Sequence, residues 1–268
     1  MGLRKKGSKL RPNPAIRGCL VLVGLVTCLL QPEVERAKAA STAAQSQTDR
    51  IIEKLEGLGA RVFREAGVVV EVNLDRTRVL DSDLALIAEF TEITDLSLEQ
   101  TLVGDVGLKE LLPLRKLEWL NLFATRVGNR GLEYVKQLPT LRHLPVGRTN
   151  VSDAGLVHLA DMSQLLYLGL RGNNVSDAGV SYLAKLRNLT GLHLGETKIT
   201  HRSLQHLQDM SQLKQLWLHN TQVTDEGIPY LAKLSSLEHL YIYETRISEK
   251  GIRELRTALP RCQIVFRP

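Results

Sequence analysis

The chain has 268 residues, of which 43% are apolar and only 4% aromatic, with three cysteines and a formal net charge of +6. Residues 1–39 hold eight of the 35 basic and two of the 29 acidic residues, so the remainder is balanced and offers no general pull on a phosphate backbone. Nucleic-acid binding is set aside on that ground, and aromatics this scarce carry weight wherever they gather.

From the N-terminus, a basic stretch (Arg4 to Arg17) precedes an apolar run from Gly18 to Leu30, and Ala37-Lys38-Ala39 offers a small-x-small cleavage site. The apolar run is shorter than the roughly 20 residues a membrane span needs. Residues 1–39 therefore read as an export signal, leaving a periplasmic, cell-surface or secreted product. The charged stretch between Leu30 and Ala39 is long for a cleavage region, so an uncleaved membrane anchor or an apolar core helix stays open. A lipoprotein site at Cys28 is weaker, since Thr27 stands where Gly or Ala is usual. Cleavage would remove Cys19 and Cys28 and leave only Cys262, so no intramolecular disulfide could form in the mature chain.

Residues 40–47 read as a linker and 48–68 as a cap. Thr48 or Asp49 is placed to start a helix whose Ile51, Ile52, Leu55 and Leu58 share one apolar face. Gly59 to Phe63 and Gly67 to Val72 then form a small hairpin.

Residues 69–260 are eight copies of one 24-residue unit. Position 1 runs Val69, Ile93, Leu117, Leu141, Leu165, Leu189, Leu213, Leu237; positions 4 and 6 are apolar throughout. That alternation is strand periodicity, and it predicts Leu170 and Leu194 fully buried. Position 9 is Thr in seven copies and Asn173 in the fifth, short polar groups able to bond the backbone as the chain leaves the strand. Apolar residues at positions 16, 19 and 22, such as Leu156, Leu159 and Met162, step as one side of a helix does. Ser152-Asp153-Ala154-Gly155 and its echoes precede them, with Ser, Thr and Asp expected to cap the helix start. Gly at position 15, present in six copies, is expected to make room for the neighbouring coil. Residues 261–268 close the end, with Cys262 a small buried cap residue rather than a reactive thiol.

The pattern L-x-x-L-x-L-x-x-T-x-V-[ST]-D-x-G-L resembles the leucine-rich repeat superfamily, nearest its bacterial exported members. The resemblance implies an α/β solenoid, a horseshoe with parallel strands on the concave face and short helices on the convex face. It also implies a recognition surface. Departures are Pro145 inside a strand, His201 and Ser203 in copy six, and the missing glycine of copy one.

Positions 3, 5 and 7 face outward on the concave sheet, with position 8 beside them. Copies one and two are acidic there (Glu71, Asp75, Asp95, Glu99). Copies three to five carry Trp119, Phe123, His143, Tyr167, Arg148 and Arg171, and copies six to eight carry His193, Trp217, His219, His239, Tyr241 and Tyr243. Half of the chain's aromatics fall on these outward positions, where a purely structural sheet would favour Thr, Lys or Glu. Between them Gly147, Gly169, Gly191 and Gly195 predict a shallow bare dent, walled by rings that project to solvent and add little to packing between coils. The alternative is that the rings merely cover the sheet. His193 and His219 are placed roughly 8 Å apart by backbone spacing, too loosely for a three-ligand zinc site. No G-x-S-x-G, H-E-x-x-H or G-x-x-x-x-G-K-[ST] signature occurs.

The expected function is thus a non-catalytic, cofactor-free exported module that grips a protein or peptide through its concave sheet. A surface glycan binder stacking sugars on Trp119, Trp217, Tyr241 or Tyr243 is the alternative. A substrate receptor of a ubiquitin-ligase-like complex is a distant third, because residues 40–68 are too few for an adaptor-binding domain. The membrane is a partner only if the leader stays uncleaved.

Overall fold

The computed structural model describes residues 45 and 47–267. The chain divides into two units, Met1–Ile51 and Ile52–Pro268. Of the first, only residues 45 and 47–51 are described, and they are helical. The export-signal or anchor reading of residues 1–39 lies outside the described residues, as does the linker at 40–47 apart from residues 45 and 47. Among the described residues no helix is long and apolar enough to cross a membrane.

In the second unit, residues 52–57 are helical, with Ile52 and Leu55 buried. A hairpin follows, in which β1 (Arg61–Glu65) pairs antiparallel with β2 (Val68–Asn73). Eight short strands continue the sheet: β3 (Asp95–Ser97), β4 (Trp119–Asn121), β5 (His143–Pro145), β6 (Tyr167–Gly169), β7 (Gly191–His193), β8 (Gln215–Trp217), β9 (His239–Tyr241) and β10 (Gln263–Val265). All ten stand in sequence order, and from β2 onward every pair is parallel. Partners in β2–β9 lie 24 residues apart, as in Glu71↔Asp95 and Tyr167↔Gly191, so each repeat position forms a row across the sheet. The β4–β5 pairing shrinks to Trp119↔His143, because Pro145 has no N–H to donate.

The inward rows form the core. Positions 4 and 6 are at most 3% exposed throughout, Leu170 and Leu194 being 0%. Short helices such as Asn129–Val135, Asp177–Tyr182 and His201–Leu207 return along the convex side and bury positions 16 and 19 against the sheet. Such leucine rows supply roughly 1.5–3 kcal/mol per fully buried side chain, and Cys262, the sole cysteine beyond residue 39, is free and half-buried.

Polar side chains secure the turns. In seven copies the Thr hydroxyl at position 9 donates to the carbonyl three residues back, as Thr125 does to Leu122 (2.7 Å). Asn173 instead reaches across a coil, donating to the Val146 carbonyl and accepting the Thr149 N–H. Position 8, just before it, is left-handed in every copy. Arg76, Gln100, Ala124, Arg148, Glu196, Asn220 and Glu244 have φ between 51° and 60°, and Gly172 has 71°. Such a φ costs a non-glycine residue about 1–2 kcal/mol. Here it lets the same residue donate its N–H to the next coil, as Glu196 does to His219 (2.9 Å).

The Ser/Thr–Asp pairs act differently from the expected caps. The position-13 carboxylate accepts the position-12 N–H of the next coil: Gly104 to Asp81 (2.7 Å), Gly128 to Asp105 (2.6 Å), Ser176 to Asp153 (2.7 Å), Ser248 to Asp225 (2.7 Å). Hydroxyls of Ser176, Thr200 and Ser248 donate to the second oxygen of the same carboxylates. Side-chain capping of a helix N–H survives only at Ser176, Thr200 and Ser248. This ladder explains the position-15 glycines that follow a coil with the carboxylate; Gly155 instead faces the Asn129 amide and Gly227 the Leu204 side chain. A Cβ on Gly131, Gly179 or Gly251 would fall 2.2–2.6 Å from the carboxylate of the preceding coil. Copy one has no preceding coil, and Asp83 fills the glycine's place, accepting the Leu80 N–H itself (2.8 Å).

Candidate functional site

The concave face carries three groupings of the sequence-predicted residues. At the N-terminal end Trp119 and His143 meet Glu71, Asp95 and Glu118 around an open groove of about 470 Å³. The other carboxylates there are partly engaged: Asp75 accepts from the Ser97 hydroxyl and the Glu99 N–H (3.0 Å), and Asn121 donates to Glu99 (3.2 Å).

In the middle, Glu196 is held by two arginines. Arg171 donates to Oε1 and Arg148 to Oε2 (3.0 Å). Hydrogen bonding from Arg171 holds the Glu196 carboxyl below its ordinary value, against the upward push of burial. Arg148 crosses above Gly172, where a Cβ would stand 2.9 Å from its Cγ, and its guanidinium lies 5.9 Å from the Phe123 ring centre. Sequence reasoning missed Glu196. The available signal was the single glycine of the position-8 row, which clears a path between Arg148 and a carboxylate 48 residues on.

The C-terminal grouping unites Tyr167, His193, Trp217, His219, Tyr241 and Tyr243. His193 stacks on Trp217 (5.2 Å between ring centres, 6° from parallel), and Trp217 on Tyr241 (5.3 Å, 6°). These spacings follow the separation of neighbouring strands, about 4.8 Å, so the rings stand on the sheet face to face and turn their edges outward. Tyr167 meets Trp217 edge-on at 6.2 Å. His219 stacks on Tyr243 (4.6 Å, 10°) with His193 edge-on at 5.1 Å. His239 stays at the rim, 6.5 Å from Tyr241.

Two expectations are corrected here. The glycine strip is not a bare dent: Tyr167 lies over Gly169 and Gly191, and the His219 ring occupies the space a Cβ on Gly195 would take. The rings also pack between coils, Trp217 having both faces covered and His219 being only 4% exposed. Burial, with His219 and Arg171 adding to it, lowers the His193 pKa to about 4; burial and then Arg171 lower that of His219. Both imidazoles are therefore neutral near pH 7. Burial also raises the Tyr167 phenol. Among the described residues no three His, Cys, Asp or Glu are placed to hold a metal ion.

A family model described as Leucine Rich repeat matches residues 163–184. Internalin F from Listeria monocytogenes aligns with 74% of this chain and 53% of its own, at 23% identity and a TM-score of 0.60. The fold is a leucine-rich-repeat horseshoe. Internalin C2 from the same species aligns over 74% of this chain and 81% of its own (22% identity, TM-score 0.59). The Arabidopsis receptor kinase HAESA ectodomain, solved in complex with an N-terminally extended IDA peptide hormone ligand, aligns over 84% of this chain and 41% of its own (19%, 0.64). The chain thus spans about half the length of internalin F and less of HAESA. No curated protein matches its sequence.

Proposed function

We propose that this chain is an exported, non-catalytic recognition module whose concave sheet binds a protein or an extended peptide. The leucine-rich-repeat fold supports protein–protein interaction, and the ectodomain of the receptor kinase HAESA, of the same fold, is found in complex with a peptide hormone ligand. The observation that carries the reading is the outward row of ring edges formed by His193, Trp217 and Tyr241. Aromatic edges are electropositive, and Trp and Tyr add N–H and O–H donors. Such a row suits the carbonyl-rich backbone of a polypeptide.

At Trp217 the same geometry weighs against the glycan alternative. A sugar stacks on a ring face, and both faces of Trp217 are taken by His193 and Tyr241. The test is selection of binders from a random-sequence peptide library on the wild-type chain, with Tyr241→Ala and Tyr243→Ala as counter-targets. Binders that fail to recognise the two variants support the reading. Binders indifferent to both, or enrichment only on a polysaccharide array, would remove it.

A further inference from the structure

Among the described residues, the buried side-chain polar atoms without a hydrogen-bond partner are Nδ1 and Nε2 of His219. Native interiors hold few such groups, and each calls for a reason. The ring is closed in by Gly195 on one side and Tyr243 on the other, with His193 at its edge. A neutral imidazole serves there as an aromatic filler. An imidazolium does not fit, because it carries two strong N–H donors and neither has an acceptor while Tyr243 covers the ring.

The charged neighbours give the opening a direction. From the fifth coil Arg171 repels a cation. From the sixth, Glu196 attracts one but is held by Arg171 and Arg148, and His193 is tied to Trp217. The seventh coil, which bears His219, adds the uncharged Trp217 and Asn220. The eighth adds the Tyr241 and Tyr243 phenols and the exposed carboxylate of Glu244, which attracts the imidazolium.

We propose that the His219–Tyr243 stack is a proton-operated latch: closed over a neutral imidazole, and opened when the charged ring leaves the stack for Glu244 and frees Tyr243. Burial and Arg171 favour the neutral ring in the closed state. The latch is therefore fully closed above the ordinary imidazole value, about 6.5, and loses its hold as the pH falls below it. An exported module with such a latch would remodel one part of its concave face in an acidic compartment.

The latch needs no partner, so its failure is distinct from failure of the recognition reading. Ring ¹⁵N shifts of His219, and cross-peaks between the His219 and Tyr243 ring protons, are followed by NMR on the full chain from about pH 7.5 to 3.5, spanning the imidazole range. Far-ultraviolet circular dichroism is read alongside. The expected result is that the shifts move to imidazolium values below about pH 6.5, the cross-peaks vanish in step, and the dichroism stays constant. Cross-peaks that persist beside a charged ring would overturn the latch, as would separation only when the dichroism collapses, or a ring that never titrates. His219→Phe keeps the ring and removes the proton site, so its contact with Tyr243 should be independent of pH. An unchanged acid response in that variant assigns the trigger elsewhere, and if the variant does not fold, the wild-type titration decides alone.

Discussion

The carboxylate of Asp153 occupies the space a side chain on Gly179 would need: a Cβ built there falls 2.2 Å from Oδ1 and 3.0 Å from the Asp153 Cα. The same Oδ1 accepts the Ser176 N–H, so neither residue can move without breaking the tie between two coils. Gly179→Ala should therefore destabilise the solenoid by about 1–3 kcal/mol, the usual range for overpacking. In an Asp153→Ala background the same change should cost distinctly less. Additive losses in that double-mutant cycle would mean the two sites are independent.

Copy six tests this relation naturally. Ser203 stands in the glycine's place, fully buried, and its hydroxyl donates to Asp177. Burial pushes the Asp177 carboxyl up, but hydrogen bonds from Ser203 and Thr200 outweigh it and hold the group below its ordinary value of 3.8. A carboxyl lowered by folding adds stability above that value and loses it as the pH falls through the lowered one. Ser203→Ala should weaken the lowering, so the carboxylate's contribution at neutral pH should be smaller, and its loss on acidification, which starts near the same ordinary value, should be complete at a higher pH. Superimposable midpoint-against-pH curves for the two proteins would contradict this.

The core rows give a separate prediction. Leu170 is 0% exposed, and Leu170→Ala should cost roughly 2–5 kcal/mol, as truncations in packed cores do. An unchanged denaturant midpoint would place this residue on the other face of the sheet.

Much of this was legible in the sequence, for reasons particular residues show. The 24-residue spacing that aligns Tyr167 with Gly191 and Leu168 with Leu192 is a one-dimensional property, and burial of Leu170 follows from the period-2 alternation. Capping and the ladder both use Ser, Thr and Asp, so the sequence alone does not separate them; only the fold shows that Asp153 bonds the next coil before its own helix. The left-handed turn at Arg76 or Glu244 carries no glycine to announce it. At the site, sequence position placed Trp217 and Tyr243 on the outward face, but not the side-chain rotamers that make them pack on one another.

That packing changes what Trp217 is expected to do. With His193 and Tyr241 on its two faces, Trp217→Ala should cost about 1–3 kcal/mol of stability, since each aromatic pair contributes about 0.5–1.5 kcal/mol beyond area burial. Lys185→Ala on the convex side breaks only an exposed pair with Asp161 and should stay within about 0.5 kcal/mol of the parent. Equal melting curves for the two variants would refute the stacked arrangement.

The central claim, that the concave C-terminal face is the recognition surface, is tested most directly by where a bound peptide lies. A library-selected binder carrying a photoreactive phenylalanine analogue is irradiated on the wild-type chain and the attachment sites are mapped by mass spectrometry. The account predicts attachment at or beside His193, Trp217, Tyr241 and Tyr243, with affinity falling roughly 30-fold or more in Tyr243→Ala and unchanged in Lys185→Ala. Attachment confined to the convex helices, with Tyr243→Ala binding as well as the parent, would contradict it.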